Sequence, residues 1–435
     1  MRRGVARGFW LLTALIAFPA LAQATGTAAP AQADTGDTAW VLASAALVLF
    51  MTPGLALFYA GMVRRKNVLG TLLHSFIAMA LLSVIWVVVG FSLAFAEGSS
   101  FLGGMKFVGM ANMSDAVWPN TTIPPLAFMI YQAMFAVITP ALISGAVAER
   151  MRFGAYVAFI GLWSLLVYCP VAHWVWGADG FLLKMGALDF AGGNVVHVSS
   201  GVSALVACLV LGARSKDTED IPAPHNLGMT VLGAGILWFG WFGFNAGSAL
   251  GANNLAATAF VNTNTAAATA MLVWCLVDYL RHGRATVLGG VSGAVAGLVA
   301  ITPAAGFVSP MAAIAIGAIV TLVCFTAIEI KGKLGYDDSL DAFGVHGVGG
   351  ATGALLTGVF ASKLINPAGN DGLLAGNAAL LGTQAVSVVI TVAYAAVMTF
   401  ILLKVIGAVT KLKMTDEEQS DGMDLVLHNE VGYRM

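Results

Sequence analysis

Two imidazoles stand out because their surroundings are apolar. His197 lies in GGNVVHVSSGVSALVACLVLG (192–212) and His346 in FGVHGVGGATGALLTGVF (343–360). Ionisable groups inside a bilayer are costly and face the bundle interior or a cavity. A lone buried histidine is most simply a satisfied structural donor. Two at matching places favour a couple that shares a proton along a narrow path. A metal site needs three or four ligands, and neither histidine has a Cys or acid at ligand spacing, so no metal is expected. Glycines flank both, Gly192, Gly193 and Gly201 at the first and Gly344, Gly347, Gly349 and Gly350 at the second. Small residues of this kind let helices approach closely.

Aromatic side chains form the second chemical group. Tyr131 and Phe135 lie in YQAMFAVITP, Trp174 and Trp176 in AHWVWGADG, and Trp241, Phe242, Phe244 and Ser248 in WFGFNAGSALGANN. Aromatics near an interface anchor a helix in lipid, or bind a cation by their ring faces. The spacing alone leaves both uses open. LGGVSGAVAGLVA, with Gly289, Gly293 and Gly297 four apart, is a helix-packing stripe rather than a nucleotide loop, since no lysine follows it. No Walker motif, nucleophile elbow or HExxH is present, so the chain is not read as an enzyme.

The elements that hold these groups must be transmembrane helices. Of 435 residues, 59% are apolar and 10% charged, with mean hydropathy +0.86. Soluble domains carry about 25% charged residues. The apolar runs are continuous, unlike the alternating segments of about ten residues in a barrel. A net charge of −1 gives no footing for nucleic acid. The four cysteines lie in apolar runs and are read as free thiols. At about 20 residues per crossing, eleven spans are expected, beginning near residues 39, 70, 124, 153, 192, 226, 254, 285, 307, 342 and 376.

Arg2, Arg3 and Arg7, an apolar stretch and Ala22-Gln23-Ala24 make residues 1–24 a cleaved signal peptide of prokaryotic style. The membrane domain is then 25–409 and a polar tail 410–435. Fifteen of the 21 Lys and Arg residues follow odd-numbered spans, three lie on the other side and three in the leader. By the positive-inside rule the mature chain runs N-out, C-in. Each histidine-bearing span is entered past an aspartate, Asp189 before His197 and Asp341 before His346. Spans one to five and six to ten thus read as an inverted repeat followed by a final helix. Such repeats place a transport site near the midplane where the halves meet.

The ordered set TPGLALFYAGMVRRKN, GAVAERMRF, GALDFAGGNVVH, PHNLGMTVLGAGILWFGWFGFNAGSA, AFVNTNTAA and DAFGVHGVGG resembles the Amt/Mep/Rh superfamily of ammonium transporters, its bacterial Amt branch most closely. The likeness covers nearly the whole mature chain. It implies an eleven-helix fold, a homotrimer with one pore per subunit, and a location in the bacterial inner membrane. By the same resemblance, Phe135, Trp176 and Ser248 form an outer recruitment site for ammonium, with Trp174 as the alternative to Trp176. Phe135 and Phe244 form a gate, His197 and His346 the pore pair, and Asp189 a buried support. Tyr131 stands where the family often has Phe and adds a hydroxyl near the vestibule. The implied activity is recruitment and deprotonation of ammonium and conduction of ammonia, with a separate relay for the proton. No cofactor is implied. EEQSDGMDLVLHNE resembles the family's regulatory tail, which packs under the trimer and meets the signalling protein PII; the alternative is a disordered tail. The rival functions are a neutral ammonia or carbon dioxide channel of Rh type, and an ammonium sensor. Sensors carry a fused signalling domain, and only about 25 residues follow the last span here, so transport is expected.

Overall fold

The computed structural model describes residues 32–113, 117–215 and 224–433. The expected leader at 1–24 lies outside the described residues. Among the described residues helices dominate, and ten of them are long and apolar enough to cross a membrane. They are α1 Thr35–Met62, α2 Arg65–Phe95, α3 Pro125–Val147, α4 Phe153–Lys184, α5 Gly193–Leu211, α6 Leu227–Ala249, α7 Asn254–His282, α9 Pro310–Leu334, α10 Phe343–Phe360 and α11 Ala378–Val409.

The eleventh, α8, spans Val287–Ile301 and has only 15 residues. At about 1.5 Å per residue it falls short of a bilayer. The turn that follows it is satisfied inside the protein. Asn262 donates to the carbonyls of Ala305 (2.8 Å) and Val308 (2.7 Å). Phe190 N–H donates to the Pro303 carbonyl at 3.1 Å. Irregular backbone at membrane depth is tolerated only when protein supplies its partners.

The repeat is visible in how α5 and α10 begin. Both start with a π-turn, Gly193–Val198 and Phe343–Gly347, and each π-turn carries its histidine. Asp189 accepts from the N–H groups of Gly192, Gly193, Asn194 and Val195 at 2.5–3.3 Å. The matching cap on α10 is Asp338, which accepts from Ala342 (3.1 Å) and Phe343 (2.8 Å). This corrects the pairing of Asp189 with Asp341. Asp338 stands eight residues before His346, as Asp189 stands before His197. Asp341 instead pairs with Lys331 at 2.5 Å.

The tail folds back on the cytoplasmic loops. It carries two short helices, α12 Asp416–Asp421 with a capping box and α13 Met423–His428. Met414 N–H donates to the Arg150 carbonyl, and Arg152 N–H to that of Leu412. Gln419 and Met423 are fully buried.

Candidate functional site: a central path with an outer vestibule

Three cavities follow one another along the bundle. The outer vestibule is lined by Gln132, Phe135, Trp176, Asp189 and Ser248. Below it, a small cavity is lined by Ile138, Trp241, Phe244, His197 and His346. A third, toward the cytoplasm, is lined by Phe58, Ser292, Asp341 and again His346. Phe58, Val295 and His346 are shared by the last two.

The vestibule floor is aromatic because α3, α4 and α6 each turn one ring inward. Phe135 meets Trp176 edge-on at 5.8 Å and Phe244 at 4.3 Å. The Trp176 indole N–H donates to the Asp189 carbonyl at 2.9 Å, which fixes the ring. Residues two apart on a helix point about 200° apart, so Trp174 and Trp176 cannot share one face. Trp174 packs against Phe181 and Tyr394 instead. That decides between the two tryptophans as neighbours of Phe135. The Ser248 hydroxyl donates to the Phe244 carbonyl at 2.9 Å or meets Tyr131 Oη at 3.1 Å.

Tyr131 is not in the vestibule wall. It is fully buried, and its hydroxyl reaches the carbonyls of Gly243 (2.9 Å) and Phe244 (2.8 Å). It ties α3 to the end of α6 and touches Ser248. The residue that sequence reasoning missed is Gln132. It lines the vestibule one helical step from Phe135, and its buried Oε1 has no partner. A polar side chain one residue from an aromatic on an apolar helix was the available signal.

Beyond the contact of Phe135 and Phe244, the rings of Phe244 and His197 stack at 6.0 Å. His197 also stacks on Trp241 at 5.5 Å and on His346 at 5.3 Å. The two Nδ1 atoms are 3.3 Å apart. A neutral imidazole carries one N–H, so one ring donates through Nδ1 and the other accepts. The donor ring then has a bare Nε2 and the acceptor ring an Nε2–H. The pair therefore always offers one donor and one acceptor. His197 Nε2 is buried without a partner. The cavity beside it gives the centre of a water-sized molecule about 10 Å³, room for roughly one such molecule.

Charge is concentrated outside the spans. Buried Glu149 accepts from Arg64 Nε (3.0 Å), Arg214 Nη1 (2.6 Å) and Asn67 Nδ2 (2.7 Å). Burial pushes its carboxyl up, but Arg214 and Arg64 together hold it below the usual range. Asp337 is likewise raised by burial and drawn lower overall by Arg214 and Arg150. Asp338 has no arginine beside it; burial and the charge of Asp341 outweigh the pull of Lys331 and raise it to about 6. Asp189 at the vestibule floor is also raised by burial, against its four N–H donors. Among the described residues no group of His, Cys, Asp or Glu could hold a metal.

A multi-pass helical bundle with a two-fold-related path through its centre is the architecture of a membrane transport protein. The profile of the Ammonium Transporter Family matches residues 39–433. An ammonium transporter of Bacillus subtilis is 52% identical over 401 residues, covering 92% of this chain and 98% of that protein. One from Aquifex aeolicus is 49% identical, covering 94% and 96%. The crystal structure of Saccharomyces cerevisiae Mep2 superposes with a TM-score of 0.84 at 39% identity, covering 89% of each chain. A structure described as a sensor Amt protein superposes with a TM-score of 0.83 at 29% identity, covering 90% and 98%. The chain belongs to the Ammonium Transporter Family, whose members are transporters and channels rather than enzymes.

Proposed function

We propose that the protein moves ammonium nitrogen across the bacterial inner membrane by splitting ammonium at the vestibule floor. Ammonium is recruited by the faces of Phe135 and Trp176 and by the Ser248 hydroxyl. Ring faces attract any small cation; the hydroxyl oxygen favours one with N–H donors. An intact cation at membrane depth costs several kcal/mol, and the path past Phe135 and Phe244 has no charge to offset that. Ammonium escapes this cost by releasing its proton, and ammonia passes. Potassium has no proton to release, so it stops there.

His197 and His346 then receive ammonia at one Nε2 and relay the separated proton by exchanging tautomers. The single observation that carries this reading is the 3.3 Å contact between the two Nδ1 atoms in an otherwise apolar cavity. Residues 25–409 would be the transport domain, assembled as a homotrimer after removal of residues 1–24. The tail from residue 410 would regulate transport and meet PII.

The test is current recording on proteoliposomes adsorbed to a solid support. Ammonium pulses should give a current and potassium pulses none. His197→Ala with His346→Ala should abolish it. A double variant with normal, potassium-excluding uptake would sink the relay. Silence with ammonium beside rapid ammonia-driven pH equilibration would favour the neutral-gas channel. The sensor reading has the sensor-type structural match in its favour; uptake without any change in PII binding on ammonium addition would count against it.

A further inference from the structure

Gln384 is a fully buried amide on α11, the helix that follows the two repeats. α10 and α11 pack closely beside it: a Cβ on Gly358 would lie 2.8 Å from Leu381 Cα and 3.1 Å from Gln384 Cγ. Gln384 Oε1 accepts from the Leu188 N–H at 2.8 Å, and its Nε2 donates to the Leu188 carbonyl at 2.8 Å. Nε2 also donates to the Ala354 carbonyl on α10 at 3.0 Å. A side-chain amide offers an acceptor and two donors on one planar group. Facing one N–H and two carbonyls, this amide has a single satisfied orientation. It pairs with both polar groups of Leu188 and ties them to α10.

What Gln384 holds is the peptide that enters Asp189. The Leu188 carbonyl and the Asp189 N–H share one rigid plane. Residues 185–192 form no helix, so the Leu188 peptide has no helical partners and Gln384 supplies them. Leu188 lines the vestibule beside Asp189. The Asp189 carbonyl accepts the Trp176 indole N–H at 2.9 Å, so the Trp176 ring hangs from the residue that this peptide places. The other half of the repeat fixes the equivalent peptide by other means. Asp337 precedes the cap Asp338 as Leu188 precedes Asp189, and the Asp337 carbonyl accepts from Arg150 Nη2. Each capping aspartate therefore follows a carbonyl held by a side chain from a distant part of the chain.

α11 has a second buried polar contact further along. The Thr399 hydroxyl donates to Ser203 Oγ at 2.8 Å, and the Trp163 indole N–H reaches both oxygens at 2.9 and 3.2 Å. That contact fastens α11 to α4 and α5 but involves no residue of the 185–192 segment. We propose that Gln384 is a positioning residue for recruitment. Through the Leu188–Asp189 peptide, the last helix holds the Trp176 ring where it faces Phe135 and an arriving cation. The effect on ammonium rests on recruitment at Trp176; the effect on the ring itself does not.

The full-length protein, labelled with 5-fluorotryptophan, gives one fluorine resonance per tryptophan, assigned by single Trp→Phe changes. Half-saturating ammonium and maximal current are measured in proteoliposomes. Gln384→Leu removes all three bonds at similar volume. It should move the Trp176 resonance, leave that of Trp163 in place, and raise half-saturation at least about fivefold, more than it lowers the maximal current. Thr399→Val should do the reverse: the Trp163 resonance moves, while Trp176 and half-saturation stay. Gln384→Glu, which in its protonated form keeps the pair with Leu188 and gives up Ala354, should return half-saturation to within about twofold of the unmodified protein. Where Gln384→Leu does not fold, Gln384→Asn, one methylene too short to reach Leu188, takes its place. A Trp176 resonance that stays put in the Gln384 variant, or moves equally in Thr399→Val, overturns the positioning role. A displaced Trp176 resonance with unaltered half-saturation supports the positioning and overturns recruitment at Trp176.

Discussion

A Cβ placed on Gly201 would lie 2.0 Å from the backbone nitrogen of Gly347. The repeat-related contact is similar: a Cβ on Gly350 would lie 2.7 Å from the Cβ of His197. Gly201 and Gly350 stand 149 residues apart, as His197 and His346 do. Their missing side chains are what lets α5 and α10 cross closely enough for the imidazoles to meet. Gly201→Ala should therefore part the histidines by pressing on the backbone of His346 and Gly347, with both imidazoles still present. Overpacking of this kind costs about 1–3 kcal/mol, which a bundle of this size survives. We expect a folded, trappable protein whose ammonium currents fall at least about tenfold. Gly350→Ala, whose Cβ would press at 2.7 Å on the Cβ of His197, should lower the currents too. Normal currents in Gly201→Ala would show that the 3.3 Å contact is dispensable.

Tyr131→Phe tests a different link. The hydroxyl joins α3 to the last carbonyls of α6 and touches Ser248. Losing one buried hydrogen bond of this sort costs about 1 kcal/mol. The Ser248 hydroxyl keeps its bond to Phe244, so its position is retained. Melting temperature should drop slightly, while half-saturation for ammonium changes less than about threefold. A large loss of apparent affinity would place Tyr131 in the site itself.

The helices and the histidine pair were legible in the sequence because both depend on local pattern. Apolar run length sets the spans, and lysine and arginine placement sets their direction. The short α8 was also counted, although its 15 residues fall short of a bilayer. What escaped was set by three-dimensional placement. Asp338 was passed over for Asp341 because the nearer aspartate looked like the match; a π-turn at the start of α10 is what makes the spacing eight. Trp174 and Trp176 could not be separated until one side of α4 was known to face the path. Gln132 carries no motif. A packed tail was expected from its resemblance, but the contacts that seat it come from separate cytoplasmic loops, and no one of them shows them.

Asp338 gives the fold a pH dependence of known sign. Its folded value of about 6 lies above the ordinary carboxylate value of 3.8, chiefly through burial. A raised carboxyl favours the neutral form, so its contribution to stability is full below 3.8 and is lost as pH rises through about 6. Glu149 and Asp337 are held low and stay ionised across that window. Asp338→Asn keeps a neutral acceptor for the N–H groups of Ala342 and Phe343. Between pH 5 and 7.5 it should remove a stability change on the order of 1–3 kcal/mol. Melting curves of the two proteins in detergent check this; parallel pH profiles would refute it.

Gly422 separates the two tail helices at φ 103°, a backbone region that L side chains rarely adopt. A Cβ there would also lie 2.7 Å from the Lys66 carbonyl. Around it the tail is held by buried contacts: Met423 N–H to Asn67 Oδ1 and Gly70 N–H to Asp424 Oδ1, both at 2.8 Å, and Arg64 Nη2 to the Gln419 carbonyl at 2.9 Å. Arg64 and Asn67 both serve Glu149 as well, so the tail and the cytoplasmic ends of the spans share partners. Gly422→Ala should lift α12 and α13 while the bundle stays intact. Amide exchange across residues 416–428 should then speed up by about tenfold or more, and protease should cut there first. Exchange in α5 and α10 should not change. If the tail exchanges as slowly in Gly422→Ala as in the unmodified protein, the left-handed turn is not what seats it, and the network around Glu149 holds the tail by itself.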